Sequence, residues 1–232
     1  MKLLIDIGNT SSKVAVAQGE EVVHFERIAE PWTDALQRLH RDYAPIEGIV
    51  VSCVGKDGIN LQGALDALGL TALWLRHDTP CAIKDVPEGY GADRLAADIG
   101  AYHGQHALLV IDAGTCITYD LIIDGHLTGG VISPGIRLRL GAMHDYTAAL
   151  PAIDHRDYTP ATTPLMAGTT EDCMLSAAFH GTRFEIEGYI HSLRQDFPDL
   201  DVVLTGGDQF PLSSDIIHTY DPLLVLRGLL KL

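Results

Sequence analysis

Short apolar runs separated by turns of small and polar residues open the chain. Residues 3–5 and 13–17 are mainly apolar, and residues 6–12 between them read Asp-Ile-Gly-Asn-Thr-Ser-Ser, which is the composition of a turn. A second turn around Gly19 precedes an alternating stretch at 22–27. Short apolar or alternating runs bounded by Gly, Asn and Ser are typical of strands. The pattern therefore predicts a meander of three strands.

The same pattern returns about a hundred residues later. Three further strands are predicted, at residues 107–111, 116–123 and 126–132. The first ends in Asp112-Ala113-Gly114-Thr115, and the strong hairpin dipeptide Asp124-Gly125 separates the other two. Asp112 follows Asp6 by 106 residues. The repeat predicts two similar domains, 1–106 and 107–232, that face one another across a central cleft.

Segments with helical periodicity lie between the two meanders and after the second. Helices are predicted at Trp32–Tyr43, 60–68, 91–102, 134–150 and 169–193. Further strands are predicted at 49–54, 72–75 and 202–205. Because strands and helices alternate in both halves, the predicted fold class is α/β. The apolar tail, 223–232, fits either an interface or a last helix packed within the chain.

Charge and cysteine content narrow the classes of partner and compartment. The formal net charge is −15 and the pI is about 4.9, so the field of the protein repels nucleic acid and anionic membranes. Four cysteines lack any Cys-x-x-Cys pair, which favours reduced thiols in the cytoplasm. Asp6 interrupts a signal-peptide apolar region, and no apolar stretch is long enough to cross a membrane. We expect a cytoplasmic protein without nucleic-acid or membrane partners.

The paired Asp-x-Gly turns are the strongest candidates for chemistry. A carboxylate at a strand end can hold a hydrated divalent cation, and a following glycine lets backbone N–H groups approach a phosphate. The first copy adds Lys13, a cation that could neutralise a phosphate oxygen. A single copy would more simply be an ordinary hairpin turn, but two copies in one context favour phosphate binding. Gly206-Gly207-Asp208 is a third turn, suited to an adenosine face or to no ligand at all.

Motifs beyond the two turns carry a resemblance to a known family. The chain has neither a P-loop nor a dinucleotide fingerprint. Duplicated Asp-x-Gly meanders resemble the superfamily of acetate and sugar kinases, heat-shock chaperones and actin, with its duplicated ribonuclease-H-like fold. Three strings resemble the type III pantothenate kinases in identity, order and spacing, and a fourth is also of that family's type. They are Gly91-Ala92-Asp93-Arg94, the segment 129–135 (Gly-Gly-Val-Ile-Ser-Pro-Gly), Gly168-Thr169-Thr170-Glu171-Asp172, and the segment 221–229.

The resemblance implies an enzyme that uses ATP with Mg²⁺ to phosphorylate pantothenate, the first step of coenzyme A synthesis. It also implies a homodimer and a monovalent cation, K⁺ or NH₄⁺, near Asp112. Asp93 would be the catalytic base. The implied ATP-binding residues are Asp6, Ile7, Gly8, Asn9, Thr10, Ser11, Ser12, Lys13 and Thr115. The implied pantothenate-binding residues are Gly91, Ala92, Asp93, Arg94 and Thr170.

Two departures and several alternatives accompany this interpretation. The family usually has a tyrosine seven residues before the glycine of its Gly-x-Asp-Arg string, where this chain has Lys84; Tyr90 stands directly before Gly91. The chain is also somewhat shorter than is usual for the family. Asp93 and Arg94 alone could be an ordinary helix N-terminal pair. The alternative functions are a non-catalytic kinase-like regulator and a kinase of the same superfamily with another substrate.

Overall fold

The computed structural model describes residues 1–232 and contains two five-stranded sheets and six α-helices. The first sheet and its helices comprise β1 (Lys2–Ile7), β2 (Ser12–Gln18), β3 (Glu21–Ile28), α1 (Trp32–Tyr43), β4 (Gly48–Cys53), α2 (Gly58–Leu68), β5 (Leu73–Trp74) and α3 (Ala92–Ala101). The rest comprises β6 (Ala107–Ala113), β7 (Cys116–Ile123), β8 (His126–Pro134), α4 (Ile136–Asp145), α5 (Thr170–Asp196), β9 (Asp201–Gly206), β10 (Thr219–Tyr220) and α6 (Leu224–Leu230).

The two sheets have the same strand order, which confirms the predicted duplication. The first runs β3-β2-β1-β4-β5 and the second β8-β7-β6-β9-β10. In each, the first strand of the meander is central, antiparallel to its hairpin partner and parallel to the strand on its other side. The α/β class and the duplicated ribonuclease-H-like fold both follow from this arrangement.

Each sheet has its own core. In the first, α1 presents an amphipathic face to the sheet, so that Trp32, Leu36 and Leu39 are buried with Ile5 and Val14. In the second, the core includes apolar side chains of β6, β7, β9 and the 27-residue helix α5. The central strands β1 and β6 are almost wholly buried, since each has a strand on either side and belongs to a core formed with helix side chains. Their carboxyl ends are consequently fixed points of the fold.

The chain divides into two compact units whose limits differ from the predicted boundary at residue 106. One unit comprises residues 1–104, 125–127 and 223–232, and the other residues 105–124 and 128–222. The prediction placed the C-terminal tail with the second half, but the tail forms α6, which packs against α3 in the first unit. Of the two interpretations of the tail, a last helix packed within the chain is the one observed.

Small residues allow α3 and α6 to pack with their backbones in close approach. A Cβ on Gly228 would lie 1.7 Å from the carbonyl oxygen of Ala96, and one on Gly100 would lie 2.4 Å from that of Leu224. Lys231, just after α6, donates from Nζ to the carbonyl oxygens of Ile99, Gly100 and Tyr102 at 2.7, 2.9 and 3.0 Å. An ammonium group on the last carbonyls of a helix stabilises that end. The C-terminus of α3 is therefore held by the tail.

Other differences from the sequence prediction are local. The helix predicted over 134–150 is shorter, because Pro134 ends β8 and α4 covers only Ile136–Asp145. The two-residue strand β10 and a 3₁₀ turn at His155–Asp157 were not predicted, since runs so short carry no periodicity. None of the helices combines the length and apolar character that crossing a bilayer requires.

We expect Gly228→Ala to destabilise the protein, since no side chain fits between α6 and Ala96. Overpacking of this kind costs about 1–3 kcal/mol. Gly188→Ala is the matched control, because Gly188 lies within α5 and a Cβ there would meet no atom within 4 Å. Alanine in place of glycine in an open helical position adds up to about 1 kcal/mol of stability. Urea unfolding measures both, and equal stability of the two variants would contradict the packing described.

Candidate functional site

Asp6 lies near the carboxyl end of β1, between one residue of each neighbouring strand. Its register partners are Lys13 on β2 and Ser52 on β4. Lys13 Nζ is 3.7 Å from Asp6 Oδ2. The Asp6 residue is only 4% exposed. The sheet thus buries a carboxyl group with a cation on one side and a hydroxyl group on the other.

The Asp6 carboxyl group is largely shielded from water, and this changes its pKa. The pKa of Asp6 is raised to about 6: burial is the largest cause, the charge of Lys13 lowers the pKa, and repulsion from Asp93 raises it. Asp6 Oδ1 and Ser52 Oγ are both buried and lack a well-formed hydrogen bond within the chain, although Ser52 is close enough to Asp6 to lower its pKa. Unpaired buried polar atoms are costly. This pair fits a ligand that supplies donors or a hydrated cation.

The turn after Asp6 brings the predicted residues 6–13 together. The N–H of Gly8 donates to the carbonyl oxygen of Ser11 at 3.2 Å, which closes the turn. The carbonyl oxygen of Ile7 accepts from the N–H groups of Val54 and Gly55, each at 3.0 Å. A Cβ on Gly55 would lie 2.4 Å from the Gly8 carbonyl oxygen. The side chain of Ile7 is in the core, so this residue can offer a ligand only its backbone.

The sequence predicts that Gly8 lets a phosphate approach the backbone closely. In the structure, part of the space beside Gly8 is occupied by the chain itself. The N–H of Gly8 is used within the turn, and Gly55 packs on its carbonyl group. Asn9 and Thr10 are exposed, whereas Ser11, Ser12 and Lys13 are half-buried. The N–H of Gly8 is therefore not available to a ligand.

The second turn repeats the backbone of the first with different side chains. Asp112 on β6 pairs in register with Thr118 on β7 and Thr205 on β9. The carbonyl oxygen of Ala113 accepts from the N–H of Asp208 at 3.0 Å, as that of Ile7 does from Gly55. Hydroxyl groups therefore stand where the first unit has Lys13 and Ser52. Thr118 Oγ1 is buried without a partner.

Gly135 and Gly206 fit tightly around the second turn. A Cβ on Gly135 would lie 2.1 Å from the Gly114 carbonyl oxygen, and the N–H of Gly135 donates to the carbonyl oxygen of Thr115 at 3.1 Å. Gly206 has φ +102°, and a Cβ there would lie 2.2 Å from the Ala113 carbonyl oxygen. The close approach at Gly206 is thus made by the chain, which favours the turn interpretation of this glycine over a ligand contact.

The third group of predicted residues forms the N-terminus of α3. Gly91 is the residue before the helix, and Asp93 lies in the first turn. Asp93 Oδ1 accepts a hydrogen bond from the backbone N–H of Arg94 at 2.8 Å. A Cβ on Gly91 would lie 2.6 Å from that oxygen. Glycine at position 91 therefore leaves room for the Asp93 side chain to fold back over the helix end.

Thr170 is the first residue of α5, and its neighbour caps the helix. Thr169 Oγ1 accepts from the N–H of Asp172 at 3.1 Å and donates to Asp172 Oδ2 at 2.7 Å. This reciprocal arrangement satisfies helix N-terminal groups. Thr170 is exposed in that first turn. Asp112, Thr115 and Thr170 all belong to the second unit, whereas Asp6 and residues 91–94 belong to the first.

Neither a preformed cluster of metal ligands nor the one large cavity coincides with the predicted site. No group of three or more His, Cys, Asp or Glu side chains is placed to hold a metal ion. A cavity of about 170 Å³ lies beside Leu3 and Gly48, at the other end of β1 from Asp6. It contains none of the predicted site residues. The candidate chemistry therefore belongs to the strand ends and to the N-terminus of α3.

The chain matches one protein family along most of its length. The family model of the type III pantothenate kinases matches residues 2–192. A type III pantothenate kinase of Phocaeicola vulgatus is 36% identical over 99% of this chain and 96% of its own length. One of Bacteroides fragilis is likewise 36% identical, with the same coverage of each chain.

Similar solved structures support the fold. A Baf family transcriptional activator of Campylobacter jejuni superposes with a TM-score of 0.59 and 21% identity over 97% of this chain and 94% of its own. A ROK hexokinase of Thermus thermophilus gives a TM-score of 0.51 and 15% identity over 98% and 96%. At these identities the similarity concerns the fold alone.

Sequence reasoning missed Ser52 and Thr205, which flank the two aspartates. Both lie on strands that enter the sheet beside β1 and β6. The repeat held a usable signal, because each stands near the end of the apolar strand that follows its own meander. Asp208, which belongs to the third predicted turn, has a pKa that partial burial raises.

Asp6 makes the stability of the protein depend on pH. Its folded pKa of about 6 lies above the ordinary value of 3.8, so the folded state binds the proton more tightly and stability falls as pH rises through this interval. Asp6→Asn removes the charge. We expect the stability of the variant relative to wild type to rise by up to about 3 kcal/mol between about pH 4 and pH 8.

Urea unfolding at several pH values measures this difference. Asp78→Asn, at an exposed position, is the control for the substitution itself. If the difference in the free energy of unfolding between Asp6→Asn and wild type does not change with pH, Asp6 is not a buried acid of raised pKa.

Proposed function

Because the chain belongs to the type III pantothenate kinase family, we propose that it transfers the γ-phosphoryl group of ATP to the primary hydroxyl of pantothenate, the first step of coenzyme A synthesis. The single observation that carries this proposal is the match to relatives of that activity over nearly the whole chain. The placement of two carboxyl groups, Asp6 and Asp93, within electrostatic reach of each other supports it.

Residues 6–13 form the proposed phosphate site. Lys13 supplies positive charge, and the backbone and hydroxyl donors of residues 9–12 supply hydrogen bonds to phosphate oxygens. Asp6, with its unpartnered Oδ1, fits the water shell of Mg²⁺, since Mg²⁺ keeps several waters and binds through one or two carboxylates. When bound, Mg²⁺ supplies charge neutralisation on the phosphates.

Asp93 is the proposed base for the substrate hydroxyl. Its Oδ1 is held by the N–H of Arg94, which leaves Oδ2 for the hydroxyl proton. Phosphoryl transfer has a loose transition state, so positioning and charge neutralisation account for most of the catalysis. Arg94 offers a planar set of N–H donors to the pantothenate carboxylate. Gly91 and Ala92 shape the approach to this helix end.

The second unit supplies the remaining proposed contacts. Asp112 and the unpartnered hydroxyl of Thr118 fit a monovalent cation, K⁺ or NH₄⁺, because both offer oxygen atoms at the end of β6. Thr115 is proposed to contact ATP and Thr170 to contact pantothenate. The family also supports a homodimer, and the use of ATP together with four free cysteines supports a cytoplasmic location.

The regulatory and alternative-substrate hypotheses have less support. The C. jejuni neighbour named as a transcriptional activator shares the fold only. The net charge of −15 opposes contact with DNA. Asp6, Asp93 and Asp112 are all present, as catalysis requires, and the curated relatives named here are pantothenate kinases rather than sugar kinases.

The function is tested by incubating the protein with ATP, Mg²⁺, K⁺ and pantothenate and measuring phosphopantothenate by mass spectrometry. Asp93→Asn keeps the shape and the oxygen that accepts from Arg94, but removes the base. We expect kcat to fall by a factor of about 10²–10⁴. Asp78→Asn, at an exposed position, should keep the wild-type rate.

Three results would contradict different parts of this proposal. If the wild-type protein makes no phosphopantothenate but phosphorylates a hexose or acetate, pantothenate is not its substrate. Full activity of Asp93→Asn would leave the substrate intact but remove Asp93 as the base. Equal rates in Na⁺ and K⁺ would argue against the selective cation site at Asp112.

Gly91→Ala should lower the rate with little loss of stability. The added Cβ would displace Asp93 Oδ1, which it would otherwise approach to 2.6 Å, and small misplacements of a reacting group cost up to about a hundredfold in rate. Gly63→Ala is the matched control in α2, where a Cβ would meet nothing within 4 Å. Steady-state kinetics with thermal unfolding checks both, and a Gly91→Ala variant as active as Gly63→Ala would contradict the account.

A further inference from the structure

Tyr90, the residue before Gly91, is anchored through the hydroxyl group of its side chain. Its hydroxyl donates to Asp98 Oδ2 at 2.8 Å. Asp98 lies within α3 and is fully buried, with 0% exposure. A hydrogen bond to a buried carboxylate is stronger than one between neutral groups. The ring of Tyr90 is therefore held in a set orientation beside the first turns of α3.

The guanidinium group of Arg94 lies over the Tyr90 ring. The distance from Arg94 Cζ to the ring centroid is 4.5 Å, which is within the range of a cation–π interaction. A free arginine side chain has about 2 kcal/mol of rotamer entropy to lose on binding. Stacking on a fixed ring restricts Arg94 before a ligand arrives. The fork of N–H donors on Arg94 is thereby preorganised.

Lys84 does not provide this aromatic surface. Its side chain is exposed. Its backbone pairs with the turn between β7 and β8: the N–H of Lys84 donates to the carbonyl oxygen of Gly125 at 2.8 Å, and the N–H of Leu127 donates to the carbonyl oxygen of Lys84 at 3.0 Å. Tyr90 instead supplies the ring that contacts Arg94, and it does so from the residue next to Gly91.

We propose that Tyr90 is a positioning residue for substrate recognition: anchored on Asp98, its ring holds the Arg94 guanidinium in the orientation that receives the carboxylate of the substrate. This inference rests on the proposed function. It assigns Tyr90 no contact with the reacting atoms. Its consequence is that Tyr90 affects binding of the carboxylate substrate and leaves both ATP binding and the chemical step unchanged.

The prediction is a split between kinetic constants. Tyr90→Leu should raise KM for pantothenate about five- to tenfold, in line with the strength of a cation–π contact. It should leave kcat within about twofold of wild type and KM for ATP unchanged. Tyr90→Phe keeps the ring but loses the hydroxyl anchor, so its KM should rise about two- to threefold. Tyr146→Leu, at an exposed tyrosine, is the matched control and should change nothing.

A neutral substrate separates positioning from general damage to the fold. The analogue of pantothenate in which a hydroxymethyl group replaces the carboxylate gives Arg94 no anion to bind. Tyr90→Leu should therefore have the same KM as wild type for this analogue. In an Arg94→Ala background, Tyr90→Leu should add no further increase in KM for pantothenate, because the two residues act as one unit.

The possible results distinguish an error in the positioning role of Tyr90 from an error in the proposed function. Equal KM for pantothenate in wild type and Tyr90→Leu, or an equal rise with the neutral analogue, would overturn the positioning role while the kinase function stands. Additive effects of Tyr90→Leu and Arg94→Ala would also overturn it. A wild-type protein that phosphorylates neither pantothenate nor its analogue would overturn the proposed function, and this inference with it.

Discussion

Burial of the Asp6 carboxyl group is the constraint on which the first unit depends. A carboxylate loses much of its hydration inside a sheet, and its cost is offset only where charges and donors surround it. Lys13 and Ser52 stand on either side because β1 is the central strand, but Oδ1 remains unpartnered. The free protein thus holds an incompletely paired acid at the place where we propose that a Mg²⁺–phosphate ligand binds. Stability and binding are opposed at this residue.

Duplication of the sheet produced two turns with the same backbone and different electrostatics. Asp6 has a lysine and a serine as register neighbours, whereas Asp112 has two threonines. A lysine beside a carboxylate suits a phosphate group, which needs positive charge. Hydroxyl oxygens beside a carboxylate suit a cation, which needs oxygen ligands. Because serine and threonine both offer a hydroxyl group, the main chemical difference is Lys13 against Thr118, and it supports the two roles that we propose for the repeated turns.

The sequence could predict whatever depends on neighbours along the chain. The meanders, the limits of α1 and β7, and the turn from Asp6 to Lys13 follow from periodicity and turn composition. The placement of α6 against α3 could not be predicted, because it depends on Gly100 and Gly228 meeting across more than a hundred residues. The proximity of Asp93 to Asp6, and the anchoring of Tyr90 on Asp98, likewise arise from packing. The candidate site residues could thus be proposed from motifs, but their mutual arrangement required the fold.

A crystal structure with Mg²⁺, a non-hydrolysable ATP analogue and pantothenate tests the central claim most directly. The account predicts that the terminal phosphates lie against residues 9–13, that the water shell of Mg²⁺ reaches Asp6 Oδ1, and that the pantothenate hydroxyl meets Asp93. It would be contradicted by a nucleotide bound away from the turn after β1, or by an Asp6 Oδ1 that remains without a partner when the nucleotide is present.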